Sequence, residues 1–390
     1  MPATLVPRFE IRRLPLRRMR FGWRENCLHI GAMTIHRTSG TPPGRLIAVL
    51  CLVVLLSACA GPARKQANDW SGLRWPPPPE QARFRYVTTL RNHKDIERGK
   101  EETRLRDTIT GVAGAPVPTP LKEPYAIVAN GGRLYVSDIR INRIHVFDIP
   151  RGRYFTMGYR FEGKLAKPLG MALREEALYV ADVKQRRVVV YDPLGLYQRS
   201  IGDEKDLTRP TDVALSPDGQ RIYVVDTGGV ESQDHRIVVF DHEGKKLFTI
   251  GKRGSAPGEF NLPVALTIVA DGTLYVLDAG NFRVQALDPD GKPLRAWGTV
   301  GNNPGQFARP KGIAHDRDGN IYVVDAAFGN VQVFDPEGRL LLPMGKRDEA
   351  DDRPGRYGLL TAVDLDEKGY LYLLDRMFKK IDVIQKLESR

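Results

Sequence analysis

From residue 121 to the C-terminus, the chain runs in short alternations of apolar and polar positions, rich in Val, Ile, Tyr and Phe. Alternation with a period of two places one set of side chains on each face of an extended strand, so these runs predict β-strands. Asp218-Gly219, Asp271-Gly272 and Asp318-Gly319 interrupt them with the dipeptide that favours tight hairpin turns.

The alternation repeats as a unit. A (Leu or Ile)-Tyr-(Val or Leu)-x-Asp segment ends at Asp138, Asp182, Asp226, Asp278, Asp325 and Asp375, with spacings of 44, 44, 52, 47 and 50 residues. Ahead of it stands Pro124, Pro168, Pro210, Pro263 or Pro310, with Leu360 in the sixth unit. Four short strands per unit at this period predict the blades of a propeller, each burying its two faces only against its neighbours. The expected fold is therefore all-β: a six-bladed β-propeller of four-stranded antiparallel blades over 82–390. The sixth unit stops after its third strand, while Arg83–Leu90 is an orphan alternating strand upstream. Pairing of the two would close the ring and remove the open edge.

The N-terminal region follows a different pattern. Leu46–Leu56 is an unbroken apolar run of eleven residues, preceded by Arg37 and Arg45 and followed by Ser57-Ala58-Cys59. It is too short to span a bilayer and has the layout of a secretory signal. Leu56-Ser57-Ala58-Cys59 resembles the bacterial lipobox, which implies lipidation of Cys59, and Ala60 after it implies outer-membrane sorting. Met33 lies just upstream, so 1–32 read as a gene-model extension, 33–58 as the signal peptide and 59–81 as a lipid-anchored linker. Trp75 and the prolines Pro76–Pro79 predict an extended spacer there, and a short helix is expected within 96–108.

Charge and cysteine content sharpen this picture. The formal net charge is +12, but 1–59 hold nine Arg against two Glu, leaving +5 over 60–390. Nucleic-acid binding is disfavoured on that balance. Lys252-Arg253 and Lys346-Arg347, in linkers between units, would form at most a local patch for anionic lipid or an acidic partner. The three cysteines, Cys27, Cys51 and Cys59, exclude a disulfide framework.

Gly305-Gln306-Phe307-Ala308-Arg309-Pro310, the following Ile321-Tyr322-Val323-Val324-Asp325 and their counterparts from Gly258 resemble NHL repeats. With the lipobox and Arg83-Phe84-Arg85-Tyr86-Val87, the chain resembles bacterial NHL-type propeller lipoproteins. This resemblance implies a cell-envelope protein binding envelope proteins or an extracytoplasmic ligand, held to the membrane by its lipid anchor.

Two functional readings follow. Because the six repeated Asp serve every blade alike, they read as structural, accepting hydrogen bonds from the turn that follows each. The main expectation is then a non-catalytic binding scaffold, without a cofactor. Its candidate binding loop is the five-residue insertion in the third unit, with Gly228, Gly229, Glu231, Gln233, Asp234 and His235. The alternative is a metal-dependent lyase or hydrolase at the channel mouth, as in amidating-lyase-like propellers with zinc or lactonase-like ones with calcium. His315, Asp316, Asp212 and Asp364, on or at the end of innermost strands, are its metal-ligand candidates. His93, His145, His235 and His242 fall at unrelated positions and do not suggest a three-His site.

Overall fold

The computed structural model describes residues 69–96 and 119–387. The extension, signal peptide, Cys59 and nearly all of the expected 96–108 helix lie outside the described residues; His93–Asp95 form a short 3-10 turn. No helix among the described residues is long and apolar enough to cross a membrane.

Six antiparallel sheets form the blades, I to VI in chain order. Their innermost strands are Pro124–Asn130, Pro168–Arg174, Pro210–Leu215, Pro263–Ile268, Pro310–His315 and Leu360–Leu365. Blades I to V each contain four consecutive strands. Blade VI takes its outer strand from the other end of the chain: Phe84–Leu90 pairs antiparallel with Lys380–Lys386, with Phe84 opposite Lys386 and Leu90 opposite Ile381. The ring closes as the alternation of Arg83–Leu90 predicted. Arg74–Trp75 adds one more short strand on Phe84–Arg85. The Pro76–Pro79 run, expected as an extended spacer, therefore sits in the connection that turns Trp75 back onto Phe84, and Trp75 packs on the core between blades V and VI.

The apolar core is divided into six clusters, one for each interface between neighbouring blades. Each is plugged by a buried residue three positions before the innermost strand: Leu121, Leu165, Leu207, Phe260, Phe307 and Tyr357. The linker thus carries the wedge that seats one blade on the next.

The repeated Asp locks that linker in place. All six are fully buried. Asp138 accepts from the N–H groups of Lys122 at 2.6 Å and Glu123 at 3.1 Å, and from Arg140 in the following turn at 3.0 Å. Asp375 does the same with Gly358 at 2.7 Å and Phe378 at 2.8 Å. Each carboxylate satisfies backbone donors that would otherwise be buried without partners, tying the entry of the blade to its second turn. Arg236 and Arg283 pair with Asp226 and Asp278. In blade I, His145 takes that place, with Nε2 at 3.3 Å from Asp138.

Candidate active site in the central channel

The innermost strands surround a channel of about 880 Å³, whose lining runs from Thr211, Lys311 and Thr361 near one end to Arg174, Asp271 and Glu367 at the other. One mouth carries the interblade linkers and the loops between second and third strands. The other carries the hairpins between first and second strands.

Small residues line much of the channel wall. Opposite the residue before the repeated Asp, blades IV, V and VI present Ala265, Gly312 and Ala362, but blade III presents Asp212. Opposite the Tyr of the repeat, the first five blades present Val128, Ala172, Ala214, Thr267 and Ala314, but blade VI presents Asp364. The two carboxyls thus interrupt the repeat once each, with Asp364 two strand residues deeper than Asp212, about 7 Å at the strand rise.

Both are held by a neighbouring blade. Asp212 accepts from the N–H of Leu266 at 3.0 Å, and Asp364 from that of Ala129 at 2.7 Å. Room for Asp212 is made by Gly170 of blade II, where a Cβ would lie 2.0 Å from the carboxyl oxygen and 2.7 Å from the Asp212 Cα. Depth in the wall disfavours the charged form of both groups and pushes each pKa up to about 7, against the backbone hydrogen bonds that pull it down. The charge of Asp364 adds to the rise at Asp212. These are carboxyls that exchange a proton near neutrality.

Other polar groups surround them. Tyr125 lines the channel, and burial, with the nearby Asp212, raises its hydroxyl above the usual range. His315 also faces the lumen with Nδ1 at 2.7 Å from Thr267 Oγ1, and burial lowers its pKa. Lys311 lines the channel in blade V.

The four metal-ligand candidates do not converge. Asp316 is turned to the hairpin, bonded to Asn320, Tyr322 and Lys386. His315 is tied to Thr267, and Asp212 and Asp364 lie on different blades at different depths. Among the described residues no three His, Cys, Asp or Glu side chains come together as a metal-ligand set. The residues present therefore do not fit the calcium or zinc centre implied by the resemblance, and no step below depends on one.

The insertion loop lies at the linker mouth. His235 is buried: its Nδ1 accepts from the N–H of Leu262 at 3.2 Å, so Nε2 carries the hydrogen directed at the Gly229 carbonyl, 3.0 Å away. Asp234 bonds Thr208 and Arg236, and Gly228 adopts a left-handed φ of 62° against the Asp234 carbonyl. Val230, Glu231 and Gln233 face solvent. The two Lys-Arg linkers are partly neutralised, with Lys252 on Glu259 and Arg347 on Glu349.

Residues 123–344 match the family model described as the SMP-30/gluconolactonase/LRE-like region. The chain belongs to this family. The NHL resemblance correctly implied six blades, but the matching family is this one. Membership also corrects the expectation that the protein is more a binding scaffold than an enzyme, since the family carries the name of gluconolactonase, a catalyst. That expectation weighed the repeated Asp, which is architectural, above the single carboxyls that break the repeat. Three solved structures share the fold. A streptogramin B lyase has 12% identity over 70% of this chain and 96% of its own, with a TM-score of 0.51. A protein described as a putative gluconolactonase has 20% identity over 69% and 91%, also at 0.51. A protein of unknown function from Bacteroides thetaiotaomicron has 18% identity over 70% and 72%, at 0.52. At these identities they speak for the fold alone.

Proposed function

We propose that this SMP-30/gluconolactonase-like propeller is a hydrolase of small cyclic esters, with its reaction centre in the channel beside Asp212. The observation that carries the reading is a pair of carboxyls, Asp212 and Asp364, each standing where the matching positions of other blades are uncharged and each with its pKa pushed up by burial to about 7. A group poised near the working pH can both accept and return a proton. Asp212 Oδ2 accepts from the Leu266 N–H and the carboxyl also receives the Val213 N–H, which fixes its orientation while the channel side stays open to proton exchange.

As the carboxylate, Asp212 takes a proton from a water molecule whose oxygen adds to the lactone carbonyl carbon. The tetrahedral adduct collapses by breaking the ring C–O bond, and the carboxylic acid returns that proton to the leaving alkoxide. Burial keeps the Asp212 pKa high, and the charge of Asp364 adds to it, so Asp364 acts here as a tuning residue.

The test is hydrolysis of six-membered sugar lactones by the purified full chain, followed by acid release. Activity should rise with an apparent pKa near 7, and Asp212→Asn should lower kcat by about 10²–10⁴-fold, the usual contribution of a positioned acid–base group. Lactone hydrolysis unchanged in both Asp212→Asn and Asp364→Asn would overturn the assignment.

A further inference from the structure

The charges at the linker mouth indicate what the channel takes in. The residue just before the innermost strand is Lys167 in blade II, Arg209 in blade III and Arg309 in blade V, all exposed. Just inside follows Lys311, half-buried in the channel wall. None of the four makes an ion pair or side-chain hydrogen bond among the described residues, whereas the acidic residue at the equivalent position in blade I, Glu123, is matched by Arg376. The repeated Asp carboxylates nearby are buried and occupied by backbone donors.

Lys311 is the informative member. Burial, reinforced by the charge of Arg309, pushes its amine below the usual lysine range, as expected of a cation partly removed from water beside another cation. Across blade VI from it, Tyr125 of blade I is within reach of the charges of both Asp212 and Arg209. The Lys311 side chain makes no hydrogen bond or ion pair among the described residues, and the charge of Asp325, already bonded to the Arg309 N–H, offsets its burial only in part. An ammonium so placed in a cavity wall, beside a second cation, is a poor structural device. An incoming anion would offset the remainder.

We infer that the channel binds a small organic anion, with its carboxylate or phosphate group held by Lys311 under the charges of Arg309 and Arg209 and its other end directed toward Asp212. This rests on the channel being the reaction site, and it adds an anionic group to the preferred cyclic ester. Below pH 7 the channel carboxyls are largely uncharged, so they do not repel such a ligand.

Calorimetric titration of the full chain at pH 6 and low salt tests this, with succinate and methyl phosphate as probes and succinamide as the neutral control. Succinate, methyl phosphate or both should bind and succinamide should not. Lys311→Gln should weaken that binding about 10–100-fold, the worth of a charge-assisted hydrogen bond, with no loss of thermal stability. Which of the two probes binds more tightly identifies the anionic group. The proposal falls if neither anion binds, if succinamide binds as well, or if Lys311→Gln binds equally. Binding needs no turnover, so the two readings fail separately: Lys311-dependent binding without lactone hydrolysis removes only the catalytic proposal, and hydrolysis without anion binding removes only this one.

Discussion

The two mouths of the channel differ in how much of their charge is matched across blades. At the hairpin mouth, charged groups bridge blades: Arg174 of blade II holds the Ser216 and Pro217 carbonyls of blade III at 3.1 and 2.7 Å. Arg295 of blade IV reaches the Pro336 carbonyl of blade V at 2.7 Å. Lys386 of blade VI bonds Asp316 of blade V at 2.6 Å, and Glu367 of blade VI accepts from the N–H of Gly131 in blade I at 3.0 Å. At the linker mouth, Arg376 of blade VI pairs with Glu123 of blade I, but Lys167, Arg209, Arg309 and Lys311 have no such partners among the described residues. A charge with a partner in the next blade contributes to ring stability; a charge left unmatched near a cavity is available for something outside the chain. Substitutions at the first mouth should therefore move stability, and substitutions around the second should move binding and turnover.

The largest effect that would sharpen this contrast is expected at Gly170, which has no charge. Adding a methyl group there drives a Cβ against the Asp212 side chain and Cα, and displacing a reacting group by about 1 Å costs roughly 10²-fold in rate. Gly170→Ala should lower lactone kcat/KM by about that factor. A smaller residue cannot be tried, so the control is the double variant with Asp212→Asn, whose rate should fall no further than that of Asp212→Asn alone. An additional independent loss would mean that Gly170 acts through the fold instead of through the carboxyl.

Next comes the pH dependence of stability, which isolates the channel carboxyls from the surface ion pairs. Their ordinary pKa is 3.8, and in the folded chain it is about 7. Between these values the folded chain retains protons that the unfolded chain has released, so stability falls as pH rises from about 4 to about 7 and then levels off. Asp212→Asn/Asp364→Asn should flatten this part of the thermal unfolding curve and leave the variant the more stable form at pH 8, by about 1–3 kcal/mol in all, well below the full linkage value because both groups touch the lumen. An unchanged slope would mean that the two groups titrate normally in solution.

Repetition explains how much of this was legible in the sequence. The blades, their four strands and the closing pair of Phe84–Leu90 with Lys380–Lys386 all follow from a pattern stated six times, so errors at one copy are corrected by the others. The architectural Asp was legible for the same reason, although its grip on the preceding linker as well as the following turn was not. The interblade wedge was not read from the sequence: Phe260 and Phe307 stood there only as parts of the linker motif, and Leu121, Leu165 and Leu207 do not stand out among other leucines. Blade VI lacks the Arg at the start of its third strand because buried Lys380 replaces it, bonding the Asp352 and Arg353 carbonyls and Asp382. The site was hardest to see. Asp212 and Asp364 were identifiable as inward carboxyls, but their environment depends on Gly170, Leu266 and Ala129, 42, 54 and 235 residues away in sequence, and on register across blades. The insertion loop drew attention because it is long, yet His235, its most chemically suggestive residue, is a brace.

The smallest effect separates the mouths most directly. Arg174 donates to two carbonyls across the joint between blades II and III, and its guanidinium nitrogen would lie 2.3 Å from a Cβ at Gly219, so it is closely packed as well as bonded. Losing two charge-assisted hydrogen bonds from a partly exposed site should cost about 1 kcal/mol in Arg174→Ala, since water can replace the lost donor at each carbonyl. Arg209 makes no side-chain bond among the described residues, so Arg209→Ala should change stability by no more than about 0.5 kcal/mol, as for a surface residue with no specific contact. Denaturant midpoints of the two variants, compared at constant slope, measure that difference. The channel ligand should report the reverse: Arg209→Ala weakens succinate binding and makes it less sensitive to added salt, because it removes a rim charge whose attraction salt screens, while Arg174→Ala leaves it unchanged. If both variants lose stability equally and neither changes binding, the two mouths are alike in kind, and the unmatched cations at the linker face are ordinary surface charge.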